Sequence, residues 1–223
     1  MSRVLTAEGI SAAFLRLLEG ERLASMTVLD VGTGRGRLAL ALAPHCRRVV
    51  GIDIDATAIN EARRRAVAGD LGTVEFLVAD AEQVDFVRLA PGSVTMRPDM
   101  VVAHLYLSKA LVEKSSTALG SGGVLGFVGF HADQWRETGR RSRFAWDEDA
   151  IRDLLEECDF RIDHLEVDTE VTTFGSVEEA LAAVVTFEDR WRQDGRWFRY
   201  VEYLERGGRQ LTRSHLIVKA RRR

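Results

Sequence analysis

The residues of this 223-residue chain that could do chemistry stand at the ends of apolar runs. Asp30 lies in Val28-Leu29-Asp30-Val31. Gly32, Gly34 and Gly36 follow at alternate positions, and then comes the apolar stretch Leu38–Ala43. Such a pattern reads as a buried strand, a turn needing close backbone approach, and a helix start. A helix opening from a glycine turn offers free N–H groups and a positive dipole end, which suits a polar or anionic ligand. Asp53 and Asp80 each follow a further apolar run, where a carboxylate can accept from two donors at once. His104 and Tyr106 close a fourth run, and an imidazole there can serve as a base near neutral pH.

Alternating elements are needed to bring these residues to one place. Residues 6–19 carry Ile10, Phe14, Leu17 and Leu18 at helical spacing. Strands are expected at Thr27–Val31, Arg48–Ile54, Thr73–Ala79, Asp99–Leu105 and Val124–Phe130. Between them, helices are expected from Gly36 to Ala43, ended by Pro44; over Ala56–Ala68, capped by Asp55 and stopped at Gly69; and near Lys109–Leu119. Residues 82–97 form a loop with a short helical possibility. These five strands are continuous apolar runs, so both faces should be covered, and the β-α-β order implies a doubly wound parallel sheet. His131–Ala145 is a polar, Arg-rich loop. Asp147 caps a helix through Glu157, and a strand near Phe160–Val167 follows. Ser176 and Glu179 have capping-box spacing before a helix through about Arg192. The segment Arg196–Arg206 has Trp197, Val201 and Leu204 at helical spacing, and Ser214–Ala220 is a last strand.

Composition narrows the function classes. Hydrophobic residues at 46% and charged residues at 29% describe an ordinary globular chain, and one domain over 1–223 is the expectation. Its parts are an N-terminal helix (1–25), a ligand-binding core (26–130) and substrate-side helices with the last two strands (131–223). No run approaches the ~20 apolar residues of a membrane helix, and Met1–Glu8 has no secretory apolar region. Cys46 and Cys158 make neither a disulfide scaffold nor a zinc pattern, so no metal is expected and the location should be cytoplasmic. The net charge of −3 is uneven, because Val185–Arg223 carries eleven Lys/Arg against five Asp/Glu. A basic end can contact nucleic acid, though a solvated helix face gives the same pattern.

The glycine spacing selects the ligand. A dinucleotide fingerprint wants its third glycine where this chain has Arg37. The sequence instead reads D-x-G-x-G-x-G from Asp30 to Gly36, and it resembles the class I S-adenosylmethionine-dependent methyltransferases. Val49–Asp55 is similar to that family's second strand with its ribose-binding acid. Phe76–Glu82 is similar to its third strand, Asp99–Leu105 to its fourth and Leu119–Leu125 to its turn into strand five. The resemblance spans about residues 26–130, and four ordered motifs carry more than one glycine triplet. It implies a seven-stranded, mostly parallel sheet with the last strand antiparallel and helices on both faces. It also implies binding of S-adenosylmethionine, and of its product S-adenosylhomocysteine, by Asp30, Gly32, Thr33, Gly34, Gly36, Asp53, Ile54, Asp80, Ala81, Ala103 and His104. Asp53 would take the ribose hydroxyls, Asp80 the adenine amino group and the Ala81 N–H a ring nitrogen.

On the acceptor side, His104 and Tyr106 are the catalytic candidates, and His131 is another of the same kind. The stretch Ala103-His104-Leu105-Tyr106-Leu107-Ser108 lacks the proline motif of enzymes that methylate amino groups of nucleic-acid bases. The leading expectation is methyl transfer to a small-molecule acceptor. The alternatives are an RNA methyltransferase, with the basic end as its contact, and a cofactor-binding protein without transfer activity.

Overall fold

A computed structural model of the chain describes residues 5–89 and 96–223. Five parallel strands make its centre: β1 (Thr27–Val31), β2 (Arg48–Asp53), β3 (Val74–Val78), β4 (Met100–His104) and β5 (Val124–His131). A two-residue strand, β6 (Ala145–Trp146), lies parallel to the end of β5. Two long strands complete the sheet, β7 (Phe160–Thr173) and β8 (Gln210–Arg222), with β8 antiparallel to both β5 and β7. The order is β3-β2-β1-β4-β5-β8-β7, so chain direction across the sheet reverses between β1 and β4, the switch point where ligands bind in such folds. The expected seven-stranded sheet is present. The eighth strand is only the short pairing of 145–146 within the loop after β5.

Alternation along the buried strands feeds two cores. Leu29, Val31, Val50, Ile52, Val101 and Phe127 face α4 (Lys109–Ala118) and α5 (Glu148–Glu157). Val28, Val49, Met100, Val102 and Val128 face α1 (Ala12–Glu19), α2 (Arg37–Leu42) and α3 (Ala56–Ala68). β3 departs from the expectation that both faces are covered: it is the sheet edge, and of its side chains only Phe76 is fully buried. The guanidinium of Arg63 donates to the Phe76 carbonyl at 2.8 and 3.1 Å, blunting an edge that could otherwise pair with another chain.

Several boundaries differ from the sequence expectation for identifiable reasons. The first helix starts at Ala12, not residue 6, because Ser11 caps it through the Phe14 N–H. The α-helix after β1 does end just before Pro44, at Leu42, but the chain continues in a 3-10 turn, Ala43–His45, where the missing proline N–H costs nothing. Of the expected 82–97 loop, residues 82–89 form turns and 90–95 lie outside the described residues. β7 and β8 run well past their expected ends, because residues 169–173 pair with 210–214 beyond the end of β5. The helix expected after Ser176 is broken into α6 (Val177–Ala182), a 3-10 turn and α7 (Glu188–Asp194).

A third core belongs to this insertion. Trp191, Trp197, Tyr200 and Leu204 from α7 and α8 (Arg196–Glu205) pack with Trp135 and Phe174. The spacing 197, 201, 204 therefore marks a core-facing stripe, with Tyr200 buried more fully than Val201. Arg196 is buried beneath them, its guanidinium 5.5 Å from the Trp135 ring and 2.8 Å from Asp194.

Candidate functional site

The glycine turn sits at the carboxyl end of β1. Gly32 and Thr33 both donate to the Ile52 carbonyl at 2.9 Å, fixing the turn to β2. All three glycines have positive φ. At Gly36 (φ +78°) a Cβ would also meet Phe76 at 2.7 Å and Ala62 at 3.0 Å, so this glycine lets α2 approach α3 and β3 closely. At Gly34 (φ +54°) an added Cβ meets nothing within 4 Å, leaving open space above the backbone. The space at Gly32 is filled by the ring of Tyr106.

Above the turn lies a cavity of about 1000 Å³, lined by Thr6–Ile10, Asp30, Gly32–Arg35, Arg37, Leu38, His104 and Leu105, and extending towards Ala58 and Arg65. Its size is at the upper end of small-ligand sites. Asp30 is buried at its floor and accepts a 2.5 Å hydrogen bond from the Thr33 hydroxyl. Burial pushes its carboxyl up to about 7, against the opposing hydrogen bond from Thr33. His104 lines the wall at the end of β4, its ring centroid 6.5 Å from that of Phe14. Burial, and then the positive charge of Arg37 and the nearby His215, bring its pKa down to about 4.

Asp53 is held at the rim. Its Oδ2 accepts from the Gly34 N–H at 2.8 Å and its Oδ1 from the Asp55 N–H at 2.9 Å. Each carboxylate oxygen keeps a second acceptor site. Next to it Ile54 is 69% exposed, a large apolar side chain with no protein cover. Asp80 lies further along, its Oδ1 accepting from the Glu82 N–H at 2.9 Å. Ala81 begins the following turn, and Lys114 of α4 pins that turn by donating to the Ala81 and Val84 carbonyls at 2.9 and 2.8 Å. Lys114 drew no attention in the sequence, since nothing local connects residue 114 to residue 81.

The expected residues therefore divide. Asp30, Gly32, Thr33, Gly34 and His104 share the cavity; Asp53 joins it through Gly34; Ile54, Asp80 and Ala81 follow the carboxyl ends of β2 and β3 and do not line it. Gly36 is buried under the turn, and Ala103 is fully buried in the core, so its side chain faces no ligand space. The Tyr106 hydroxyl donates to Glu82 at 2.8 Å, and burial with the Glu82 charge takes it up to about 12. His131 is away from the cavity, its Nδ1 2.9 Å from the Ser214 hydroxyl and its Nε2 3.0 Å from Glu148. Ser214 is fully buried, so this Ser-His-Glu arrangement braces β5, β8 and α5 with no nucleophile in reach of a substrate. Six of the eleven basic residues at this end are ion-paired: Arg192 with Glu188, Arg196 with Asp194, Arg206 with Glu202, Lys219 and Arg221 with Glu21, and Arg222 with Asp159. Among the described residues no helix is long and apolar enough to cross a membrane, and no His/Cys/Asp/Glu cluster could hold a metal.

Comparison with known proteins agrees with this geometry. Over 69 residues the chain is 45% identical to a tRNA (uracil-5-)-methyltransferase homolog A of Mus musculus, covering 31% of this chain and 10% of that protein. Over 149 residues it is 32% identical to the ribosomal protein L11 methyltransferase of Edwardsiella ictaluri, covering 64% of this chain and 47% of that protein. The chain thus spans less than half the length of these curated relatives. A SAM-dependent methyltransferase structure from Methanosarcina mazei superposes with a TM-score of 0.59 at 18% identity, over 92% of this chain and 96% of that one. Residues 28–123, which run from the second residue of β1 through the glycine turn to the residue before β5, match the methyltransferase-domain family model. Over residues 28–123 the chain is similar to the methyltransferase-domain family, and its fold is the Rossmann-like one of the Methanosarcina mazei structure.

Proposed function

We propose that this protein binds S-adenosylmethionine over the glycine turn and transfers its methyl group to a small organic acceptor. The observation that carries this reading is the cavity itself: open backbone at Gly34, a buried carboxylate at Asp30 and a wall at His104 meet at the switch point of the sheet. The residues fit the cofactor. Asp30 would accept from its ammonium group, Asp53 from the ribose hydroxyls, Ile54 would cover the adenine face, and Asp80 with the Ala81 N–H would meet the adenine edge.

When bound, the cofactor supplies a methyl group on a positively charged sulfur, already activated toward in-line attack. The work left to the chain is alignment and exclusion of water. Thr6–Ile10 wall the cavity from above, and the neutral His104 imidazole offers a polar contact for an acceptor. With a pKa near 4, His104 is a weak base. An acceptor that attacks without first losing a proton, or loses it to solvent, suits this site best.

A second reading, an RNA acceptor, is favoured by arginines stacked on exposed aromatics: Arg143 lies 4.6 Å from the Phe144 ring and Arg192 5.7 Å from Phe198. The ion pairing of the basic end weighs against it. Calorimetric titration with S-adenosylhomocysteine tests the cofactor half; no binding at tens of micromolar would remove it. Methyl transfer from labelled cofactor to small-molecule extracts, compared with total RNA, separates the acceptors, and RNA binding that falls steeply with salt would favour the second reading.

A further inference from the structure

Arg37 lines the same cavity as Asp30 and His104, yet among the described residues it makes no ion pair and donates no hydrogen bond. It is the first residue of α2, directly after Gly36, and its side chain is exposed to the cavity and solvent. The guanidinium reaches beneath the N-terminal segment, where a Cβ built on Gly9 would collide with Nη1. On its other side its charge reaches His104. Glu8 lines the cavity too but forms no ion pair with it. The neighbouring Arg65, by contrast, already donates to the Arg35 carbonyl at 3.0 Å. Arg37 is thus a free planar donor fork lining the same cavity as the buried carboxylate of Asp30.

We infer that Arg37 is a specificity residue that donates to the carboxylate of the cofactor's α-amino-acid end, while Asp30 accepts from the ammonium group. The inference rests on the cofactor reading above. Asp30 alone cannot tell an intact amino-acid end from a decarboxylated one, because both keep the amine. A guanidinium can, since its donors match a carboxylate and are left without a partner when it is missing. The pair also places one positive and one negative side chain against a zwitterion, which a nucleoside lacking that end would not satisfy.

The test is calorimetric titration of the full chain and of Arg37→Gln and Arg37→Lys with two probes. S-Adenosylhomocysteine carries amine and carboxylate; S-adenosyl-3-thiopropylamine keeps the amine and lacks the carboxylate. The native chain should prefer the first by about tenfold or more, the scale of a charge-assisted hydrogen bond. Arg37→Gln should weaken S-adenosylhomocysteine by about as much and leave the thiopropylamine within about twofold, so the preference collapses. Arg37→Lys should keep part of it. Equal affinity of the native chain for both probes, or equal loss of both in Arg37→Gln, overturns the clamp while leaving cofactor binding intact. Failure of the native chain to bind either probe removes the cofactor reading and the clamp together. Thermal melting of each variant shows whether it is folded, and if Arg37→Gln is not, loss or retention of the preference in folded Arg37→Lys decides the question.

Discussion

The Oδ2 of Asp53 accepts a hydrogen bond from the Gly34 N–H at 2.8 Å. The carboxylate expected to meet the ribose therefore also holds the turn that must receive the rest of the cofactor. If Asp53 also meets the ribose as proposed, a substitution there removes both the contact and the hold on the turn.

Asp53→Ala should weaken S-adenosylhomocysteine binding by tens-fold, the loss of two charge-assisted acceptors. Amide exchange at Gly34 should quicken in the same variant even without ligand. Unchanged affinity by calorimetry would show that Asp53 serves only the turn.

Asp30 trades stability for its place in the cavity. Its carboxyl is raised from 3.8 to about 7, so the folded protein holds that proton longer than the unfolded chain does. Stability therefore falls as pH rises from about 4 to 7, by roughly 4 kcal/mol at most. Asp30→Asn should melt higher than the native protein at pH 8, with the difference closing towards pH 5, and should bind S-adenosylhomocysteine more weakly. A lower melting temperature at pH 8 would contradict this.

His104 works with the opposite sign. Its folded pKa is lowered from 6.5 to about 4, so between those values the unfolded chain binds more protons. This contribution is fully present above pH 6.5 and is lost as pH falls towards 4. The two windows overlap, so each must be read from its own variant. The imidazole signal should titrate below pH 5 by NMR, and kcat/KM should show no ionisation from this group between pH 6 and 8. A midpoint near 7 would restore His104 as a general base.

Gly36→Ala should be costly although it adds one methyl group. The position combines φ +78° with Phe76 and Ala62 at 2.7 and 3.0 Å from the new Cβ. Overpacking and backbone strain together should cost about 2–4 kcal/mol. Gly34→Ala has open space and should cost about 1–2 kcal/mol, from backbone strain alone, while hindering ligand entry. Thermal melts of the two variants give the comparison, and equal losses would mean that packing at Gly36 is looser than its contacts imply.

Legibility followed range along the chain. Asp55 as the cap of α3, Ser176 with the Glu179 N–H, and the strand Thr27–Val31 were readable because each depends on neighbours within a few residues. The Ser176 capping box is only half formed: Glu179 turns back to the Gly175 N–H at 2.8 Å, which a spacing rule cannot foresee. The ends of β7 and β8 were not readable, because each strand continues only while the other, some forty residues away, pairs with it. Similarly, the basic excess near the end did not show that three of its eleven residues, Lys219, Arg221 and Arg222, are met by Glu21, Asp159 and Asp163 from distant elements.

By itself the sequence determined the strand–glycine–helix order and the carboxylates at strand ends, since turn geometry and hydrophobic period are local properties. Only the tertiary structure decided which of those residues share a space. Asp30, Gly34, Arg37 and His104 meet in one cavity because β1 and β4 are neighbours at the switch point and residues 6–10 fold over them. Ala103, one residue from His104, faces the core because successive side chains on a strand point to opposite faces.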